Sequence, residues 1–221
     1  MNKSITREAK LSKAQIPAVY ASRVNNYDIW AKLTESNAQK RCLELADIRD
    51  GETILEVAVG TGLIFTQLLQ HNPSGWNEGI DLTEAMLAKA RTKAAQSGHN
   101  NYRLRIGDAY NLPFGADKFD LLVNNYMFDL LPQEDFAHIL AEFKRVLRPG
   151  GRLVLVNMGQ ARHWYNNLWD KLYGLSSTSM GGCRAVSLAD PMQATGFKLS
   201  HNEFISQMTF PSEIIIGLKL T

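Results

Sequence analysis

The chain has 221 residues, 45% of them hydrophobic and 21% charged, which suits a folded globular protein with one ordinary core. Its 24 basic and 22 acidic residues leave a formal charge of +2, too near neutral for a surface that wraps nucleic acid. No window holds eighteen consecutive apolar residues, so no transmembrane helix is expected and the cytoplasm is the expected location, with peripheral membrane contact left open.

The N-terminal MNKSITREAKLSKAQIPAVYA is basic and broken by charge, which does not fit a secretory signal. The first fifty residues read as helices. Leu33, Cys42, Leu43, Leu45, Ala46 and Ile48 recur at roughly helical spacing before the Asp50-Gly51 stop. Thr53 to Val59 is then a short β-branched run closed by glycines, the mark of a buried strand. The spacing predicts a helix over 63–70, a strand over 76–81, an Ala-rich helix over 83–97 and a strand over 102–106. A strand over 119–124, a helix over 136–147 ended by Pro149-Gly150-Gly151, and a strand over 152–157 follow. Such alternation implies a mainly parallel sheet covered on both faces. The last two strand-like runs, 198–207 and 213–220, flank Phe210-Pro211-Ser212 and are too close for a parallel crossover, so they should form an antiparallel hairpin. Cys42 and Cys183 lie far apart at no metal spacing and read as reduced, buried thiols; two distant cysteines also argue against metalloid chemistry.

The chemistry concentrates at strand ends. Glu56-Val57-Ala58-Val59-Gly60-Thr61-Gly62 closes the first strand and opens a helix, and its glycines let backbone turn sharply and approach a ligand. A dinucleotide cradle would want a third glycine further on, where Leu63-Ile64-Phe65 stand instead. Asp81 ends the second strand, where two carboxylate oxygens could take both hydroxyls of a ribose; Asp81-Leu82-Thr83-Glu84 also reads as a helix-capping box. Gly107-Asp108-Ala109 follows the third strand. Asn124-Asn125-Tyr126-Met127-Phe128-Asp129 closes the fourth, where open α/β sheets place ligands.

Together these segments resemble the class I S-adenosylmethionine-dependent methyltransferases from about Asp50 to Asn157. Glu56 to Gly62 is similar to that family's first motif, with Ala58 where glycine is usual; Gly79 to Leu87 is similar to its second. The resemblance implies a Rossmann-like, doubly wound seven-stranded sheet and S-adenosylmethionine as cofactor. It places Glu56 by the methionine amino group, Ala58, Gly60 and Gly62 along the loop, and Asp81 on the ribose. Leu82 and Met86 fall near the nucleoside, and Asp108 and Ala109 at the adenine; the strand-end position, apart from the resemblance, turns Asn124 and Tyr126 toward cofactor or acceptor. The linker Leu112-Pro113-Phe114 with Phe119-Asp120, and the turn Leu147 to Leu153, match the family too. The pairs Tyr27-Asp28 and Pro211-Ser212-Glu213-Ile214 resemble the ubiquinone/menaquinone-biosynthesis and phospholipid N-methyltransferase branch.

On that reading the chain is one domain: N-terminal helices or lid over 1–50, cofactor-binding core over 51–157, inserted lid over 158–186, and C-terminal helix and hairpin over 187–221. Methyl transfer from a sulfonium is an in-line displacement, so the protein mainly positions the acceptor and excludes water. A base is needed only if the acceptor loses a proton, and Tyr126, Asp129, His163 and Tyr165 are the candidates. Tyr20, Arg23 and Tyr27 before the core, with Tyr165 after the fifth strand, would form an acceptor site or lid suited to a partly apolar molecule or a cationic amine. An amine, a phospholipid head group or a quinone-like compound are the acceptor classes considered. A nicotinamide-dependent oxidoreductase and a non-catalytic cofactor-binding module are the alternatives.

Overall fold

The computed structural model describes residues 9, 12, 14–166, 168–169 and 182–220. Three helices come first: α1 (Ile16–Arg23), α2 (Tyr27–Thr34) and α3 (Ser36–Leu45). β1 (Thr53–Val57), α4 (Leu63–His71), β2 (Trp76–Asp81), α5 (Glu84–Gln96) and β3 (Tyr102–Ile106) then alternate. β4 (Phe119–Asn125), α6 (Phe136–Val146) and β5 (Leu147–Met158) follow, and α7 (Ala189–Ala194), β6 (Phe197–Gln207) and β7 (Phe210–Lys219) complete the described elements.

The strands form one seven-stranded sheet in the order β3-β2-β1-β4-β5-β7-β6. β1 to β5 pair in parallel, while β7 runs antiparallel to both β5 and β6. Strand side chains alternate between two cores. Ile54, Leu121, Val123, Val154 and Val156 face α3, α4 and α5; Leu55, Val57, Leu122, Leu153 and Leu155 face α6 and α7. That double coverage is why these strands read as continuous apolar runs rather than alternating ones.

Three boundaries differ from expectation, each for a backbone reason. β1 stops at Val57 because Ala58 turns to φ +60°, which no strand accommodates. β5 begins at Leu147, paired with Phe119, and the ladder resumes at Leu121–Arg152, so Pro149-Gly150-Gly151 is an irregularity inside the strand. In the hairpin, Gln207 pairs with Phe210, and Met208 and Thr209 at φ +45° and +67° make a two-residue turn. Phe210 to Ser212 therefore belong to β7 rather than to the loop.

The N-terminal helices are tied to the core where α1 gives way to α2. Thr61 Oγ1 donates to Asp28 Oδ1 at 2.5 Å and Lys93 Nζ to Asp28 Oδ2 at 2.7 Å, holding α2 to the start of α4 and to α5. Lys89 Nζ donates to the Val24 carbonyl at 2.7 Å, just past α1. Among the described residues no helix is long and apolar enough to cross a membrane.

Candidate functional site

The sheet order reverses between β1 and β4, and open sheets bind ligands outside such a switch point. Leaving β1, the chain takes three left-handed residues within five: Ala58, Gly60 at φ +56° and Gly62 at φ +84°. Two of these serve different ends. A Cβ on Gly62 would lie 2.9 Å from Ala90 Cα, so this glycine lets α4 and α5 pack closely. A Cβ on Gly60 would meet only Tyr27 Cε1, at 3.9 Å, so here the backbone stays open. Asp81 fixes the loop from β2: its Oδ2 accepts the Gly60 N–H at 2.7 Å and its Oδ1 the Thr83 N–H at 2.8 Å. Burial raises the Asp81 carboxyl, and those N–H groups pull it back. The expected capping box does not form as such. Thr83 is the N-cap of α5, and Glu84 pairs with Arg91 instead.

Around these groups opens a cleft of about 770 Å³. It gathers Ala58, Gly60, Asp81, Leu82, Met86, Asp108 and Ala109 from the sheet side, with Tyr20 and Tyr27 from the N-terminal helices and Tyr126 from the end of β4. Asp108 Oδ1 accepts the Tyr110 N–H at 3.0 Å, which orients the β3 turn. Thr83, Tyr110, Asn125, Met127, Leu130 and Leu131 also line it. Those six carry no sequence signal beyond their place next to motif residues.

Several expected site residues are not on its wall. Glu56 is 2% exposed and lies on the α3 face of β1; Cys42 feels its charge, its Oε2 has no partner, and burial, then Asp81, raises its carboxyl well above the usual range. Asn124 is fully buried and donates to the Val57 carbonyl at 2.9 Å, tying β4 to β1 rather than facing a ligand. Gly62 is spent on helix packing, as above. Asp129 is fully buried behind the wall. Its Oδ2 accepts the Met158 N–H at 3.4 Å, and burial raises its carboxyl to about 7 against the pull of that N–H and of Arg184. His163 and Tyr165 stack on each other at 5.1 Å, with Phe204 of β6 beside His163, and line neither cavity. They pack there because β6 offers an aromatic edge; the rest of the expected lid, over 170–181, lies outside the described residues.

A second cavity of about 950 Å³ adjoins the first and shares Tyr20, Tyr27 and Tyr126 with it. Arg23, Trp30, Glu35 and Cys183 complete its character. Tyr126 sits at φ +51° and its hydroxyl lies 2.7 Å from Ser212 Oγ, while Tyr20 Oη and Cys183 Sγ are 3.8 Å apart. Glu35, absent from the residues expected at the site, is 2% exposed, and burial followed by the charge of Asp129 raises it to about 8. Nothing marked it in the sequence, since it stands in a polar stretch between α2 and α3. Cys42 and Cys183 are free thiols, and among the described residues no three His, Cys, Asp or Glu gather as metal ligands.

Known proteins resemble this chain in sequence and in fold. A methyltransferase-domain family matches residues 54–151. The ubiquinone/menaquinone biosynthesis C-methyltransferase of Paracoccus denitrificans is 33% identical over 151 residues, covering 66% of this chain and 59% of that protein. The arsenite methyltransferase of Halobacterium salinarum is 28% identical over 151 residues, covering 67% of this chain and 37% of that protein. The chain thus spans about half the length of the curated relatives it matches. A methyltransferase structure from Methanosarcina mazei superposes with a TM-score of 0.67 at 22% identity, over 80% of this chain and 97% of that one, which is a likeness of fold.

Proposed function

We propose, from the premise that this chain belongs to the class I S-adenosylmethionine-dependent methyltransferases and resembles their ubiquinone/menaquinone branch, that it moves the methyl group of S-adenosylmethionine to a small-molecule acceptor. The observation that carries the reading is the stitch between Gly60 and Asp81 at the switch point, beside an open cleft.

The residues present fit the cofactor. Glu56 Oε2 is a buried acceptor with no partner, though off the cleft wall, so the ammonium of the cofactor would have to reach it behind the Gly60 loop. Each Asp81 oxygen keeps a lone pair after its backbone bond, enough for the two ribose hydroxyls. Asp108 and Ala109 stand where an adenine edge would be read, and Leu82 and Met86 offer it apolar contact. When bound, S-adenosylmethionine supplies an activated methyl carbon for in-line displacement. The chain's own task is then to bind and align the acceptor and to keep water out, which Tyr20, Tyr27 and Tyr126 do as the shared wall of the two cavities. The acceptor classes remain an amine, a phospholipid head group or a quinone-like compound, and the quinone-type relative is one support for the last.

S-adenosylhomocysteine should raise the melting temperature by mass action and NAD should not. A shift with NAD and none with S-adenosylhomocysteine would overturn the reading. Incubation of small-molecule extracts with deuterium-methyl cofactor, followed by mass spectrometry, then finds the acceptor.

A further inference from the structure

We propose that the second cavity binds the methyl acceptor as an amine, held in its cationic form by Glu35 among Tyr20, Tyr27, Trp30 and Tyr126, and that Glu35 takes the proton this nitrogen must lose; this rests on the methyltransferase reading above.

The geometry around Glu35 is that of an oriented carboxylate. Its Oε1 accepts the Trp30 Nε1–H at 3.1 Å, and its Oε2 accepts from Gln39 Nε2 at 3.2 Å and from the Tyr27 hydroxyl at 3.5 Å. All three donors are neutral, so they aim the group without cancelling its charge. Among the described residues no lysine or arginine forms an ion pair with Glu35. The titratable groups that face it are Tyr27 of α2, Tyr126, Asp129 and Cys183, and Arg23 stands on the same cavity wall from α1. Asp129 has Arg184 to answer its charge, while Glu35 has only hydrogen bonds.

Glu35, 2% exposed and bonded to neutral donors, has no cationic partner among the described residues. An ammonium in the cavity would supply it, and the tyrosine and indole rings would add attraction to a positive charge, Tyr20 and Tyr27 having centroids 6.3 Å apart. The same environment makes Glu35 a stronger base than an ordinary carboxylate, closer to the ammonium it must deprotonate. The proton passes from nitrogen to Glu35, and the freed lone pair forms the N–C bond to the donor methyl. The S–C bond breaks with its electron pair going to sulfur, and the methylated nitrogen carries the positive charge away. Tyr20, Tyr27 and Tyr126 line both cavities, so the amine would reach the methyl carbon between these rings.

The test uses the full chain saturated with S-adenosylhomocysteine, titrated calorimetrically at pH 7 with benzyltrimethylammonium and with benzyl alcohol as the uncharged ring. The cation should bind at least about tenfold more tightly. In buffers of different ionisation enthalpy it should release close to one proton per site, since at pH 7 a group titrating at about 8 is mostly protonated and must ionise to pair. Glu35→Gln should weaken cation binding about tenfold or more and abolish the proton release, with S-adenosylhomocysteine affinity within about twofold of the parent. Equal binding of the two probes, as a quinone-type site would give, overturns the proposal; so does proton release that persists in Glu35→Gln. If that variant does not fold, the affinity ratio and proton count of the parent chain decide. Failure of S-adenosylhomocysteine to bind the parent chain overturns the methyltransferase reading itself.

Discussion

At position 58 the chain carries a methyl group where the backbone is left-handed, with φ at +60°. An L-residue there costs about 1–2 kcal/mol, and glycine would return roughly 0.5–1 kcal/mol of that to the unfolded chain's entropy. Ala58→Gly should therefore stabilise by about 0.5–1 kcal/mol and raise Tm by about 1–4 °C, with S-adenosylhomocysteine affinity undiminished. Calorimetric melting checks it, and an unchanged or lowered Tm would show the strain to be relieved elsewhere. Asp81 is the opposite case, a residue whose bonds are already made. Asp81→Asn keeps one acceptor oxygen but loses the charge that holds Gly60 and Thr83 N–H together. Bonds to a charged group are worth about 1.5–3 kcal/mol, so S-adenosylhomocysteine should bind about ten- to a hundred-fold more weakly with the fold intact. Unchanged affinity by titration calorimetry would leave Asp81 as a loop stitch only.

Among elements, α1 and α2 supply much of the lining of the proposed acceptor site. They contribute Tyr20, Arg23, Tyr27 and Trp30, and none of the motif residues. Deleting residues 1–26 removes α1 and should spare S-adenosylhomocysteine binding while abolishing transfer to the true acceptor. Normal turnover by a folded truncation would show that α1 only covers the sheet. The Asp28 latch offers a milder test. Burial works to raise the Asp28 carboxyl, yet the bonds from Lys93 and Thr61 carry it below its usual value. The pair is partly exposed, so its stabilising contribution is about 0–1 kcal/mol. Asp28→Ala should cost little stability but raise the acceptor KM several-fold, because α2 no longer holds Tyr27 over the Gly60 loop. A changed kcat with constant KM would contradict this.

For the whole molecule the buried acids set the pH dependence. Glu35 titrates at about 8 against 4.5, and Asp129 at about 7 against 3.8, both raised first by burial. A raised carboxyl binds its proton more tightly folded than unfolded, so its contribution is fully present below the unfolded value and is lost as pH climbs through the folded one. Glu56 and Asp81 shift in the same direction. Lowered groups such as Glu142 and Glu203 act oppositely and lose their contribution only in acid. Stability should therefore fall between about pH 5 and pH 8, with Tm lower by a few degrees at pH 8 than at pH 6. Glu35→Gln combined with Asp129→Asn should flatten that slope. A Tm that rises from pH 6 to pH 8 in the parent chain would contradict the assignment.

By itself the sequence determined the alternating elements, the strand ends that carry chemistry and the antiparallel hairpin, because periodicity and turn residues are local properties. It also named Ala58, Gly60, Asp81, Asp108 and Ala109, which the fold brings into one cleft. Only the tertiary structure decided that β7 inserts between β5 and β6, since strand order depends on which edge is free to pair. It alone turned Asn124 into a tie between strands and took His163 out to β6. Glu35 has the same origin. A glutamate in a polar stretch looks solvated, and only the packing of α2 and α3 over the sheet removes its water and points it into a cavity.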